Sequence, residues 1–106
     1  MGTLWVDDAR AAPASWSRAR NVVQAQAWLS AVEIDEVSLD HDFGPVKEGT
    51  GLDLVRWMIE RRLVPSKVTI HSVNSAGAKA MADALNDAGF DCEVQPFSFQ
   101  RLEDGV

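Results

Sequence analysis

Three short apolar runs, each halted by a cluster of polar side chains, restrict what this chain can fold into. Leu4-Trp5-Val6 runs into Asp7-Asp8, Val37-Ser38-Leu39 into Asp40-His41-Asp42, and Val68-Thr69-Ile70 into His71-Ser72-Val73-Asn74. Apolar runs this short, bounded by turn-forming residues, read as buried strands. Helical spacing fills the gaps between them, and strands alternating with helices imply right-handed crossovers and a parallel sheet. The carboxyl ends of such strands share one rim, where ligands bind. The four carboxylates, two imidazoles, hydroxyl and amide at these run ends therefore describe one site.

A pass along the chain gives the expected elements. Residues 3–6 form the first strand, and 17–20 a short edge strand after a loop in which Pro13 disfavours helix. Asn21 caps a helix over 22–31, with Val22, Ala25, Trp28 and Leu29 at helical spacing. A strand at 36–39 leads to a turning segment, 43–51, with three glycines and a proline. The helix at 51–62 has a broad apolar face and ends at Arg61-Arg62 before Pro65. A strand at 67–70 follows. Ser75 caps a helix over 76–88 that Gly89 stops. A last strand spans 91–94, with a short helical tail near 98–103. The expected fold is a small doubly wound α/β domain of about five parallel strands, one domain over residues 1–106.

Composition narrows the function. No apolar run approaches the roughly 20 residues that span a bilayer, and Met1-Gly2-Thr3-Leu4 shows no secretory signal. A single cysteine, Cys92, excludes an internal disulfide and fits a reducing cytoplasm. The formal charge of −6 argues against a general nucleic-acid surface, which needs clustered Lys and Arg. Without Asp7, Asp8, Asp40 and Asp42, twelve acids face ten bases, so much of the acidity sits on the rim. Such crowding must be relieved by protons, a cation or basic neighbours.

The residues resemble the receiver domain of two-component response regulators over nearly the whole chain. Asp7-Asp8 stand where receivers hold their metal, Asp40 at the phosphate-accepting aspartate, and Ser72 at the position of a receiver Ser or Thr. Gly51-Leu52-Asp53-Leu54-Val55 and Val94-Gln95-Pro96-Phe97 match further segments. The resemblance implies a flavodoxin-like sheet of order 2-1-3-4-5. Three differences stand out: Gln95 replaces the receiver lysine, a loop replaces the first helix, and two rim histidines are added. A closer likeness joins Leu4 to Arg10, Pro13, Trp16, Ser38 to Asp42, Thr50-Gly51 and Ile70 to Asn74. That set resembles the cyclic-phosphate processing receiver domains, small bacterial or phage-associated proteins. It implies action on a cyclic phosphate of a nucleotide-like compound.

The chemistry of the rim gives each residue an expected role. Asp7, Asp8, Asp40 and Asp42 suit Mg²⁺ or Mn²⁺, which take a few carboxylates plus water and phosphate oxygens. Asp40 alternatively serves as nucleophile or general base. His41 and His71, the only histidines, suit proton exchange in phosphodiester cleavage. Arg10 offers a bidentate fork to phosphate, or pairs with Asp7 or Asp8. Ser72, Asn74 and Ser75 lead into a helix N-terminus, which attracts phosphate. Trp16 fills the core or covers a base, and Trp5, Trp28 and Trp57 read as core. The expected partner is a small phosphorylated ligand, handled either by phosphoester hydrolysis or by non-catalytic sensing.

Overall fold

The computed structural model describes residues 2–42 and 49–95. Five parallel strands lie in the order β2-β1-β3-β4-β5: β1 (Gly2–Val6), β2 (Ser17–Ala19), β3 (Ile34–Leu39), β4 (Lys67–Ile70) and β5 (Glu93–Val94). Three helices connect them: α1 (Val22–Ala31), α2 (Gly51–Arg61) and α3 (Ser75–Asp87). This is the expected architecture. Boundaries differ by one or two residues: β3 starts two residues earlier than expected and β5 two residues later. The expected tail at 98–103 and the loop centre at 43–48 lie outside the described residues.

Local chemistry fixes the helix starts. Asn21 accepts from the Gln24 amide at α1. At α2 the Thr50 side chain accepts from the Asp53 amide while Asp53 accepts from the Thr50 amide, a reciprocal capping box. At α3 the cap is Asn74, whose side chain accepts from the Gly77 amide. Ser75, expected as the cap, is instead the first helical residue.

The strand order and the handedness of crossovers decide where the helices go. From β2 to β5 the chain moves across the sheet in one direction, so right-handed crossovers place α1, α2 and α3 on one face. The core agrees. Leu4, Val6, Val37, Leu39, Val68 and Ile70 point to that face and pack with Leu29, Leu54, Val55, Met58, Met81 and Leu85. Each fully buried Leu, Ile or Met contributes about 1.5–3 kcal/mol. Only the β1-to-β2 connection runs backwards, and it is the loop expected in place of a helix.

Alternation along the strands sends the remaining side chains to the second face. Trp5 is in register with Ser38, and Ser38 with Thr69. This face is buried but polar: Ser38, Thr69 and His71 are all inside. Ladder bonds continue one residue past the strands, from the amides of Asp7, Asp40 and His71 to Ala19, Val6 and Leu39. The polar run ends are therefore held as rigidly as the sheet.

Candidate functional site at the carboxyl rim

Asp7, Asp8 and Asp40 come together at this rim, with one oxygen of each within 4.8 Å of the others. Asp7 is fully buried and accepts four bonds. Its Oδ1 takes the amides of Ala9 at 2.8 Å and Arg10 at 2.9 Å. Its Oδ2 takes His71 Nε2 at 3.0 Å and Arg10 Nη1 at 3.4 Å. Burial alone would raise the Asp7 pKa, but the donors from His71, Arg10 and Ala9 outweigh it and hold the carboxyl below its usual range.

Asp40 behaves in the opposite way. Burial raises its pKa, as does the negative charge of Asp7, and bonds from the Ser72 side chain and the His41 amide offset this only in part. The His41 amide lies 2.7 Å from Asp40 Oδ1. Two neighbouring carboxylates thus have their pKa values pushed apart, a pattern associated with functional sites.

These bonds also bear on which acids suit a cation. A carboxylate has about four acceptor positions, and Asp7 has filled its own with protein donors. Asp8 and Asp40 retain capacity. Mg²⁺ and similar ions are commonly held by one or two carboxylates plus waters, so the donor set fits such an ion through Asp8 and Asp40. Asp42, expected as a fourth ligand, is outside the acidic trio and bonds to His41 instead.

The two histidines occupy different surroundings. His41 is 16% exposed, with Nδ1 2.8 Å from Asp42 Oδ1. Its ring lies against Gly77 in the first turn of α3, where a Cβ would come within 2.5 Å of His41 Cγ. Asn74 Nδ2 is 3.5 Å from both His41 Nδ1 and Asp42 Oδ1. His71 is fully buried, with Nε2 on Asp7 and Nδ1 2.7 Å from Ser38 Oγ. Its ring stacks on Trp5 at 3.9 Å and 7°.

Of the residues expected to grip phosphate, Arg10 is 28% exposed beside Asp7. Ser72 is buried, bonds to Asp40 and accepts from the Asn74 amide at 3.1 Å. Ser75 is exposed at the start of α3. Trp16 meets Trp5 edge-on at 6.3 Å, which extends the packing of the polar face. Sequence reasoning passed over Trp5 and Ser38 as participants. The signal that marks them is period-two alternation, since Trp5 and Ser38 lie two residues before Asp7 and Asp40 on the same face.

Fold and rim together define a receiver-type α/β domain. A solved structure supports this: a signal receiver domain from Vibrio parahaemolyticus matches with a TM-score of 0.65 at 17% identity, covering 98% of this chain and 85% of that one. At that identity the likeness speaks for the fold alone. No curated protein matches the chain. The family profile described as cyclic-phosphate processing receiver domain matches residues 3–87, and the chain belongs to that family.

Proposed function

We propose that the protein binds a cyclic phosphate of a nucleotide-derived compound at this rim and opens the ring by hydrolysis. The observation that supports the reading is one juxtaposition. Asp40, in the acidic trio, accepts the amide of the next residue, His41, whose partly exposed imidazole has a carboxylate partner of its own in Asp42.

Each residue then has a role its surroundings suit. With Asp42 accepting from Nδ1–H, His41 presents Nε2 as the proton-accepting atom. It takes a proton from water as the water oxygen bonds to phosphorus. The phosphorus–oxygen ring bond breaks, and the leaving oxygen takes a proton from solvent, to which His41 then returns its own, giving a phosphomonoester. Arg10 and the Ser75 and Ala76 N–H groups at the start of α3 hold the non-bridging oxygens; these N–H groups lack intrahelical acceptors, whereas the Gly77 N–H is already taken by the Asn74 cap. Asp8 and Asp40 hold a divalent cation, Mg²⁺ or Mn²⁺, which when bound supplies positive charge to the phosphate oxygens. Orientation comes from the sheet, which fixes Asp7, Asp40 and His71 by ladder bonds.

The test incubates the protein with 2′,3′-cyclic nucleotides and ADP-ribose cyclic phosphate, with and without Mg²⁺ or Mn²⁺. Ring opening is expected, falling by at least about 100-fold in His41→Ala, the scale of a general acid–base contribution. A ligand-induced thermal shift without turnover would replace hydrolysis with sensing. Neither turnover nor binding across the panel would overturn the proposal.

A further inference from the structure

His71 is the one rim imidazole that nothing outside the protein can reach, and its contacts suggest a different use. An ionised carboxylate only accepts, so His71 Nε2 carries the proton that faces Asp7. In the neutral ring Nδ1 is then an acceptor, and the Ser38 hydroxyl donates to it across 2.7 Å. The ring plane is fixed by the stack on Trp5. These residue types match a nucleophilic triad, but Ser38 is 3% exposed near the end of β3 and attacks nothing.

The chain of bonds leads instead to Arg10. Asp7 accepts the Arg10 amide on one oxygen and Arg10 Nη1 on the other. The His71 carbonyl accepts from the same Nη1 at 3.4 Å. Trp5 Nε1 donates to the Arg10 carbonyl at 3.1 Å. Backbone donor, backbone acceptor and guanidinium of Arg10 are therefore all held by Trp5, Asp7 and His71. Ser38 and the aromatic stack in turn orient His71.

We propose that His71 is a positioning residue: with Ser38, Asp7 and Trp5 it forms a buried polar cluster that holds Arg10 at the rim to receive a phosphate ester. The identity of that ester rests on the function proposed above; the positioning does not. Each contact from the cluster narrows the rotamers open to Arg10 and so reduces the side-chain entropy lost when a ligand binds. With it, the guanidinium is preorganised, as binding groups supported by a second layer of hydrogen bonds are. Asp7 thereby serves as an anchor for the turn at residues 7–10, which also carries Asp8.

The first arm of the test uses the ligand-free protein. Imidazole ¹⁵N shifts are expected to show a single His71 tautomer protonated at Nε2, and the Ala9 and Arg10 amides to exchange slowly with solvent. Ser38→Ala should mix the tautomers and speed exchange at Ala9 and Arg10 by about 10-fold, with Leu54 and Met58 unchanged as a reference for global opening. His71→Phe should do more, and His71→Gln, which keeps an N–H for Asp7, should restore part of the protection. Unchanged tautomer and exchange in Ser38→Ala, or wild-type exchange at both amides in His71→Phe, would overturn the proposal. The second arm measures hydrolysis of a 2′,3′-cyclic nucleotide, where Ser38→Ala should raise KM about 10-fold with kcat nearly unchanged. A wild-type protein that opens no cyclic phosphate but passes the first arm would sink the proposed reaction and leave the positioning role intact.

Discussion

Asp40 is held in a conformation that costs stability when its carboxyl is ionised. Burial and the adjacent Asp7 charge both raise its pKa, so the folded state binds its proton more tightly than the unfolded chain does. Stability therefore falls as pH rises from the unfolded to the folded pKa, and the cost is complete above the folded value. Asp40→Asn keeps the shape, accepts from the His41 amide and donates to Ser72 while removing the charge. We expect it to raise the melting temperature in chelator-treated buffer at neutral pH, by an amount worth about 1 kcal/mol. The gain should shrink as pH is lowered, and divalent-cation and ester binding should be lost. A neutral-pH melting temperature below that of the wild type would contradict this account. Asp7 follows the opposite sign: its lowered pKa contributes stability above the unfolded value and loses it as pH falls through the folded one.

At the scale of elements, two glycines let the helices approach the rim. A Cβ on Gly77 would meet the His41 ring, and one on Gly51 would overlap the Asp40 carbonyl oxygen. A ring can swing aside, whereas backbone cannot. Gly77→Ala also gains about 1 kcal/mol of helix propensity. Its expected result is near-normal stability by calorimetry with hydrolysis reduced about 10-fold or more through displaced His41. Gly51→Ala should lose roughly 1–3 kcal/mol, the usual cost of forcing atoms into a packed site. Equal losses of stability in both variants would refute the distinction. Elements were also where the sequence was most legible. Asn21 marks the start of α1, because its side chain bonds to the amide three residues on. Thr50 caps α2 by the same chemistry but reads in sequence only as part of a turning segment. Ser75 misled by one position because Asn74 before it can make the same bond. The burial of His71 was not legible, since Ser38 and Asp7 lie 33 and 64 residues away in sequence. Strand ends predict which residues share a rim, but not which of them the rim encloses.

For the whole molecule, the acidity of the rim has a thermodynamic consequence. A cation bound only by the folded state adds RT ln(1 + [L]/Kd), or about 1.4 kcal/mol at ten times its Kd. In a domain of this size that corresponds to a rise of roughly 6–10 °C in melting temperature. Mg²⁺ or Mn²⁺ should give such a rise in the wild type and little in Asp8→Asn. A wild-type melting curve unmoved by either ion at millimolar concentration would remove the cation from the proposal. The receiver-like order of strands was legible from the apolar runs and the resemblance together, because each run end could be matched to a place on one sheet.

The one-way sweep of the chain from β2 to β5 also bears on how the domain assembles. Its main helix contacts join α1 to α2 and α2 to α3, neighbours in sequence. Each helix can therefore dock on the one just formed, whereas β1 must wait for β3, which lies beyond β2 and α1 in sequence. Such non-local parallel pairing slows folding. Within this domain β1 precedes in sequence both strands that pair with it, β2 and β3. Closing the β1–β3 pair is therefore the step that commits the sheet, and the helix-by-helix packing follows it.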